Sequence, residues 1–112
     1  MKITFVSGPY RSPIINGVVQ NILAARAVAL ELWQMGYCAL VPHLNTAFFD
    51  GAVSDEAFLR GDLELLQRCD AIVMLPGWER SEGANQEHAL ACALSLPVYY
   101  WPADADLLRQ EA

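Results

Sequence analysis

Four short apolar runs alternate with stretches of helical periodicity, and this alternation limits the possible folds more than any other feature of the chain. The runs cover residues 3–7, 37–41, 71–75 and 96–101. Unbroken apolar runs of this length are typical of strands buried on both faces of a parallel sheet. Right-handed crossovers then predict a doubly wound, flavodoxin-like α/β fold of about four parallel strands in the order 2-1-3-4, with helices on both faces.

Helical periodicity between the first two runs predicts a long first helix. Apolar residues recur there at steps of three and four between residues 18 and 33. Asn16 or Gly17 is predicted to cap the start of this helix, and Gly36 suits its end.

Two further helices are predicted after the second run. Ser54 is expected to cap a helix that runs to about residue 68, and the last helix runs from about 84 to 95. Residues 43–53 show no clear period and are predicted to form a long loop. The chain from about residue 103 is predicted to be a polar tail, and residues 1–112 to form a single domain.

Charge and cysteine content narrow the class of ligand and the compartment. Thirteen acidic and seven basic residues give a net charge of -6. Binding to a nucleic acid polymer requires a basic stripe, so we expect a small-molecule ligand instead. The three cysteines have an odd count and no metal-ligand spacing, which predicts reduced thiols in a cytoplasmic protein without a metal or other cofactor. No apolar run approaches the ~20 residues of a membrane-spanning helix, so no membrane partner is expected.

Two carboxylates lie on predicted apolar helix faces. Asp62 interrupts the apolar stripe of the second helix, and Glu87 interrupts that of the third. Burying an unpaired carboxylate is costly, so such residues are usually partnered or functional, although each could instead reach water at the edge of its stripe. In the predicted sheet the loops after Ser7 and Leu75 flank one cleft, and both helices border it. Two carboxylates beside one cleft favour a functional site.

The position of Glu87 suggests a particular chemistry. It lies near the N-terminus of its helix, where the helix dipole favours an ionised carboxylate. An ionised and oriented carboxylate is what nucleophilic glycosyl transfer requires. The glycine-bearing loop over residues 76–84 exposes backbone N–H groups that can hold a phosphate or sugar oxygen.

Three segments resemble the nucleoside 2-deoxyribosyltransferase family. Residues 61–73 resemble its "D-L-x-x-L-x-x-x-D-hydrophobic" stretch, and residues 81–87 resemble the loop that leads into its nucleophilic glutamate. Residues 7–12 resemble its first substrate loop. The resemblance runs in order from residue 3 to about 101, although the chain lacks most of the C-terminal region of the well-studied members.

The resemblance implies N-glycosidic bond cleavage in a nucleoside or nucleoside 5′-monophosphate, by hydrolysis or deoxyribosyl transfer. Glu87 would attack the anomeric carbon, and Asp62 would contact the sugar or base and assist proton transfer. Ser81 stands where the transferases have an aspartate and the 5′-monophosphate hydrolases have a phosphate-binding serine. Together with Arg11, Ser81 implies a 5′-monophosphate substrate.

Other residues in the same loops are candidates for substrate binding. Tyr10 would hold the nucleophile or line the sugar pocket, or it simply packs. His43 matches a histidine in some hydrolases and is equally compatible with an ordinary loop histidine. Trp78 would stack on a base or cover the cleft, and Gly8 and Gly83 lie in the two substrate loops. The resemblance also implies a homodimer or higher homo-oligomer, because family members complete their sites across subunits.

Two other functions are compatible with the sequence. A phosphoribohydrolase of the lysine-decarboxylase-like type shares Leu75-Pro76-Gly77 and the later glycine and glutamate, but Trp78 replaces its second glycine. A nucleotide-sensing module without turnover would keep the phosphate loop but would not need both carboxylates.

Overall fold

The computed structural model describes all 112 residues and contains one parallel four-stranded sheet in the order β2-β1-β3-β4. The strands are β1 (Ile3–Ser7), β2 (Cys38–Leu40), β3 (Ala71–Met74) and β4 (Val98–Tyr100). All three strand pairs are parallel. The predicted α/β fold and strand order are therefore confirmed, and β2 and β4 are shorter than their apolar runs.

Five α-helices cover the sheet, and a 3-10 helix, Trp78–Arg80, follows β3. The α-helices are α1 (Ile15–Met35), α2 (Pro42–Asn45), α3 (Asp55–Leu66), α4 (Glu82–Ala93) and α5 (Ala105–Glu111). No helix is long and apolar enough to cross a membrane.

Side chains alternate between two cores, one on each face of the sheet. Val6 and Val73 pack with α1 and α5, whereas Phe5, Ile72 and Met74 pack with α3 and α4. This is the period-two alternation of a strand that is covered on both sides. Helices therefore lie on both faces, as the unbroken apolar runs predicted.

Local sequence signals predicted the end of α1 correctly and its start wrongly. Gly36 ends the helix in the left-handed conformation with φ of 104°, as predicted. Neither Asn16 nor Gly17 caps the start: Ile14 is the N-cap and has no side-chain hydrogen bond. Gly17 is instead required for packing, because a Cβ atom there would lie 2.0 Å from Oγ of Ser12. The capping prediction was thus wrong by two residues or more.

The second helix region follows the sequence signals more closely. Ser54 caps α3 by accepting a hydrogen bond of 3.1 Å from the backbone N–H of Ala57, as predicted. The predicted loop over residues 43–53 is interrupted by α2, which begins at Pro42. Proline fits the first turn of a helix because its missing N–H needs no partner there.

The prediction of a polar tail from about residue 103 is wrong, because α5 docks against the first core. Leu108 is fully buried, and its carbonyl oxygen accepts a hydrogen bond of 2.6 Å from the hydroxyl of Tyr37. Tyr99 donates a further hydrogen bond to Glu111. A single buried leucine in a polar segment is a weak periodic signal, so the docking of α5 depends on partners far away in the sequence.

Candidate active site

A buried hydrogen bond joins β1 to α4 at the carboxyl end of the sheet. The hydroxyl of Ser7 donates to Oε1 of Glu87 over 2.6 Å, and the relative exposures of the two residues are 0% and 7%. Ser7 is the last residue of β1 and lies on the same strand face as Phe5, which packs in the core under α3 and α4. Because side chains alternate between the two faces of β1, the Ser7 side chain points towards α4.

Burial controls the protonation of Glu87. The pKa of Glu87 is raised from 4.5 to about 7: loss of hydration is the largest cause, the hydrogen bond from Ser7 opposes it, and the negative charge of Asp62 adds to it. Glu87 is the sixth residue of α4, beyond the first turn where the helix dipole is felt. The expectation that the dipole would keep this carboxylate ionised is therefore wrong, and desolvation dominates.

Asp62 is the second carboxylate at this site. It lies half-buried on α3, which packs against α4, and burial raises its pKa from 3.8 to about 6. Because the two carboxylates interact, their pKa values belong to the pair. Near neutral pH the pair holds about one proton, which is the arrangement that a nucleophile and an acid–base partner require.

The two loops that flank the cleft approach each other closely. The carbonyl of Ser7 accepts a hydrogen bond of 2.8 Å from the backbone N–H of Leu75. A Cβ atom on Gly8 would lie 2.7 Å from Cβ of Leu75, so only glycine fits at this position. Gly8 thus keeps the loop after β1 against the loop after β3.

The hydroxyl of Tyr10 hydrogen-bonds to the loop before α3 and to neither carboxylate of the pair. It donates to Oδ1 of Asp50 over 2.8 Å and accepts a hydrogen bond of 3.1 Å from the backbone N–H of Phe48. Glu87 is held by Ser7 and not by Tyr10, so the interpretation of Tyr10 as the residue that holds the nucleophile is wrong. Tyr10 connects the loop after β1 to the loop before α3.

His43 is buried behind that first loop. Its relative exposure is 6%, and its Nε2 lies 2.7 Å from the carbonyl oxygen of Pro9, so the neutral ring donates a proton to that oxygen. Burial lowers the pKa of His43. This geometry gives His43 a role in holding the loop, and direct contact with a substrate would require the ring to leave its buried position.

The two arginines near the cleft have different surroundings. Arg11 pairs with Asp55 at 3.4 Å, and both side chains are exposed. Arg80 forms no ion pair. Its guanidinium packs beside Gly77, where an added Cβ atom would lie 2.9 Å from Nη2 of Arg80 and 3.3 Å from Cγ of Pro9. The uncommitted cation at the loop after β3 is therefore Arg80, which no sequence motif singled out.

Ser81 and Gly83 lie at the start of α4. Ser81 is the N-cap, and its hydroxyl accepts a hydrogen bond of 3.2 Å from the backbone N–H of Ala84. The hydroxyl proton stays available for a second partner. A Cβ atom on Gly83 would only reach ordinary contact with Leu59 at 3.9 Å, so the structure shows no requirement for glycine there.

Trp78 stacks on His88, a residue that no sequence pattern indicated. The two rings lie 4.3 Å apart at an interplanar angle of 25°, and Nε2 of His88 lies 2.9 Å from the hydroxyl of Tyr100. His88 follows Glu87 on α4, so it projects from a different side of the helix. One face of Trp78 is thus occupied within the chain, which favours the interpretation of Trp78 as a cover.

Two surface depressions lie away from the carboxylates. One is formed by Glu31, Gln34, Met35 and Arg109, and the other extends along α3 to Leu90. Neither includes Asp62 or Glu87, so the chemistry of the side chains identifies the candidate site better than surface shape does. No group of three histidine, cysteine, aspartate or glutamate residues is placed to hold a metal ion.

Comparison with known proteins supports the fold. The chain matches the model of a family described as "Domain of unknown function (DUF4406)" over residues 3–100. No curated protein matches the chain. Among solved structures it is similar to 2-deoxyribosyltransferase from the psychrotolerant bacterium Bacillus psychrosaccharolyticus, with a TM-score of 0.65 and 17% identity over 88% of this chain and 70% of that chain. The protein thus belongs to the DUF4406 family, and its fold is 2-deoxyribosyltransferase-like.

Proposed function

We propose that this protein cleaves the N-glycosidic bond of a nucleoside or nucleoside 5′-monophosphate, with Glu87 as the nucleophile. The observation that carries the proposal is the buried Glu87 carboxylate, which Ser7 orients and Asp62 accompanies at the carboxyl end of the sheet. The fold shared with a 2-deoxyribosyltransferase supports the same chemistry.

The reaction has two displacement steps. The ionised carboxylate of Glu87 attacks the anomeric carbon of the sugar, and the bond from that carbon to the base nitrogen breaks. The released electron pair stays on the base, which takes the proton from Asp62. Water, or the nitrogen of a second base, then attacks the same carbon, returns a proton to Asp62 and releases Glu87. The products are free base and sugar in hydrolysis, or a new nucleoside in transfer.

Local charge supports a 5′-monophosphate over an unphosphorylated nucleoside. The Ser81 hydroxyl and the uncommitted guanidinium of Arg80 lie on the loop that leads into α4. Arg11 must give up Asp55 before it binds a phosphate. The net charge of -6 means that such a preference depends on local contacts and not on long-range steering.

The resemblance to the 2-deoxyribosyltransferase family supports a homo-oligomer as the active form, because members of that family complete their sites across subunits. A second copy would exclude water from the reacting atoms. Sedimentation at working concentration tests this, and a fully active monomer would contradict it.

A chromatographic screen for released base tests the proposed reaction. Nucleosides and 5′-monophosphates carrying each common base are incubated with the wild-type protein, with and without a second base as acceptor. We expect free base from at least one substrate, and none from Glu87→Gln. Tight binding of a nucleotide without release of base would instead indicate a sensing module.

A further inference from the structure

We propose that Ser7 is the positioning residue of this site: it fixes Oε1 of Glu87 and leaves Oε2 as the atom that attacks the sugar. This inference rests on the proposed function and adds a residue and an atom to it. It begins from the hydrogen bond of 2.6 Å between Oγ of Ser7 and Oε1 of Glu87.

The backbone of Ser7 makes it a rigid support. Ser7 is paired with Met74 in the β1–β3 ladder, and its carbonyl oxygen accepts the backbone N–H of Leu75. The side chain has no exposure and therefore little freedom to change rotamer. A hydroxyl held in this way fixes the orientation of the carboxylate that it contacts.

The two oxygens of Glu87 have different surroundings. Oε1 accepts the hydrogen bond from Ser7, and no other hydrogen bond reaches the carboxylate. Oε2 therefore has no hydrogen-bond partner. One side-chain oxygen or nitrogen in the protein both lacks a partner and is shielded from solvent, and it is Oγ1 of Thr4. Oε2 lacks a partner but is not shielded. Oε2 thus keeps some contact with solvent, and it is the oxygen that an incoming anomeric carbon can approach.

The same hydrogen bond also acts on the proton of the carboxylate pair. A hydroxyl that donates to Glu87 stabilises its ionised form, whereas Asp62 receives no such hydrogen bond. The pKa of Glu87, about 7, lies above that of Asp62, about 6, so a single proton on the pair is held mainly by Glu87. Attack and leaving-group protonation require the opposite distribution, with the charge on Glu87 and the proton on Asp62, and the hydrogen bond from Ser7 shifts the pair in that direction.

Few titratable side chains besides Asp62 face Glu87 from the elements packed against α4. Asp62 on α3 is the group whose charge acts on Glu87. Glu79 and Arg80 of the 3-10 helix and Tyr100 of β4 are exposed, Tyr99 lies in the other core with its hydroxyl on Glu111, and β1 and β3 bring no charged side chain. Ser7 is the one group that donates a hydrogen bond to the carboxylate. Its removal is therefore expected to act on Glu87 directly.

The chain offers a matched control for removing a hydroxyl from β1. Thr4 is also fully buried, but its hydroxyl has no hydrogen-bond partner and lies on the opposite strand face, with Val6. Ser7→Ala and Thr4→Val each remove one buried hydroxyl from the same strand. Only the first removes a contact with Glu87.

The first measurement is the titration of Glu87 by carboxyl-carbon NMR in the two variants and in the wild type. We expect Ser7→Ala to raise the pKa of Glu87 by about one unit, as the loss of a hydrogen bond to a charged group implies. Thr4→Val should leave it unchanged. An unchanged pKa in Ser7→Ala would overturn the inference, whether or not the protein releases base.

The second measurement is turnover on the best substrate from the base-release screen. Ser7→Ala should lower kcat by roughly ten- to a hundredfold with little change in KM, and should move the acid limb of the pH profile to higher pH. Ser7→Thr keeps the hydroxyl and should recover part of kcat. If Ser7→Ala fails to fold, Ser7→Thr takes its place in both measurements and tests the position of the hydroxyl. Wild-type kcat and pH profile in a folded Ser7→Ala protein would contradict the role of Ser7, whereas failure of the wild type to release base would contradict the proposed function alone.

Discussion

The negative charge of Asp62 on α3 raises the pKa of Glu87 on α4, so the two carboxylates titrate as a pair across the contact between these helices. Burial acts in the same direction on both residues. A site of this kind is less stable than an apolar one at neutral pH, and in the proposed reaction it provides a nucleophile and a proton donor in return.

Glu87→Gln is expected to abolish base release and to stabilise the fold at pH 8. The pKa of Glu87 in the folded protein is about 7, above its ordinary value of 4.5. Between pH 4.5 and about pH 7 the folded protein therefore keeps a proton on Glu87 that the unfolded chain has released. The stabilisation from this neutral form is complete below about pH 4.5 and is lost as pH rises through about 7. Glutamine removes the buried charge, so we expect a gain of about 1 to 3 kcal/mol at pH 8.

Urea unfolding of both proteins at pH 4.5 and pH 8 measures this gain. It should shrink towards zero at pH 4.5, where Glu87 is neutral in the wild-type fold as well. Equal stabilities at pH 8 would mean that Glu87 is not held as a costly buried charge.

Asp62→Asn is expected to separate the two roles in the pair. Removing the negative charge lowers the pKa of Glu87, so the acid limb of kcat/KM should move to lower pH. The loss of the proton donor should lower kcat by about 10²- to 10⁴-fold. The control is Glu64→Gln, which changes an exposed carboxylate on the same helix. A pH–rate profile that is the same in Asp62→Asn and the wild type would exclude Asp62 from the reaction.

Arg80→Gln is expected to weaken the preference for 5′-monophosphates more than Arg11→Gln does. Arg80 has no acidic partner, whereas Arg11 is paired with Asp55, so only Arg80 is free to meet a phosphate without breaking an ion pair. Losing a charge-assisted contact should reduce the ratio of kcat/KM for a monophosphate to that for its nucleoside by about ten- to a hundredfold. Ser81→Ala tests the serine hydroxyl in the same assay. If all three substitutions leave the ratio unchanged, or if nucleosides are the better substrates in the wild type, the phosphate contact does not exist.

Leu108→Ala is expected to destabilise the protein by about 2 to 4 kcal/mol, because it opens a cavity under α5. Leu107→Ala is the matched control: the relative exposure of Leu107 is 43%, and that of Leu108 is 0%. Thermal or urea unfolding should separate the two variants clearly. Similar small effects in both would indicate that α5 does not pack on the core in solution.

The alternation of strands and helices was predictable from the sequence because it depends on local periodicity. An apolar run of about five residues between helical segments indicates a strand of a covered parallel sheet, and Gly36 and Ser54 mark helix ends through their own backbone and side-chain chemistry. The helix periods also predicted that Glu87 faces inwards, which its burial bears out.

Only the tertiary structure decided which side chains meet. Ser7 and Glu87 are 80 residues apart, and their hydrogen bond depends on the register of β1 and the rotation of α4 over the sheet. The ion pair between Arg11 and Asp55, and the packing of Leu108 in the core beside Tyr37, depend on tertiary packing in the same way. Local sequence fixes the conformation of each element and which of its faces is apolar, whereas contacts between elements are set by packing, which has no local period.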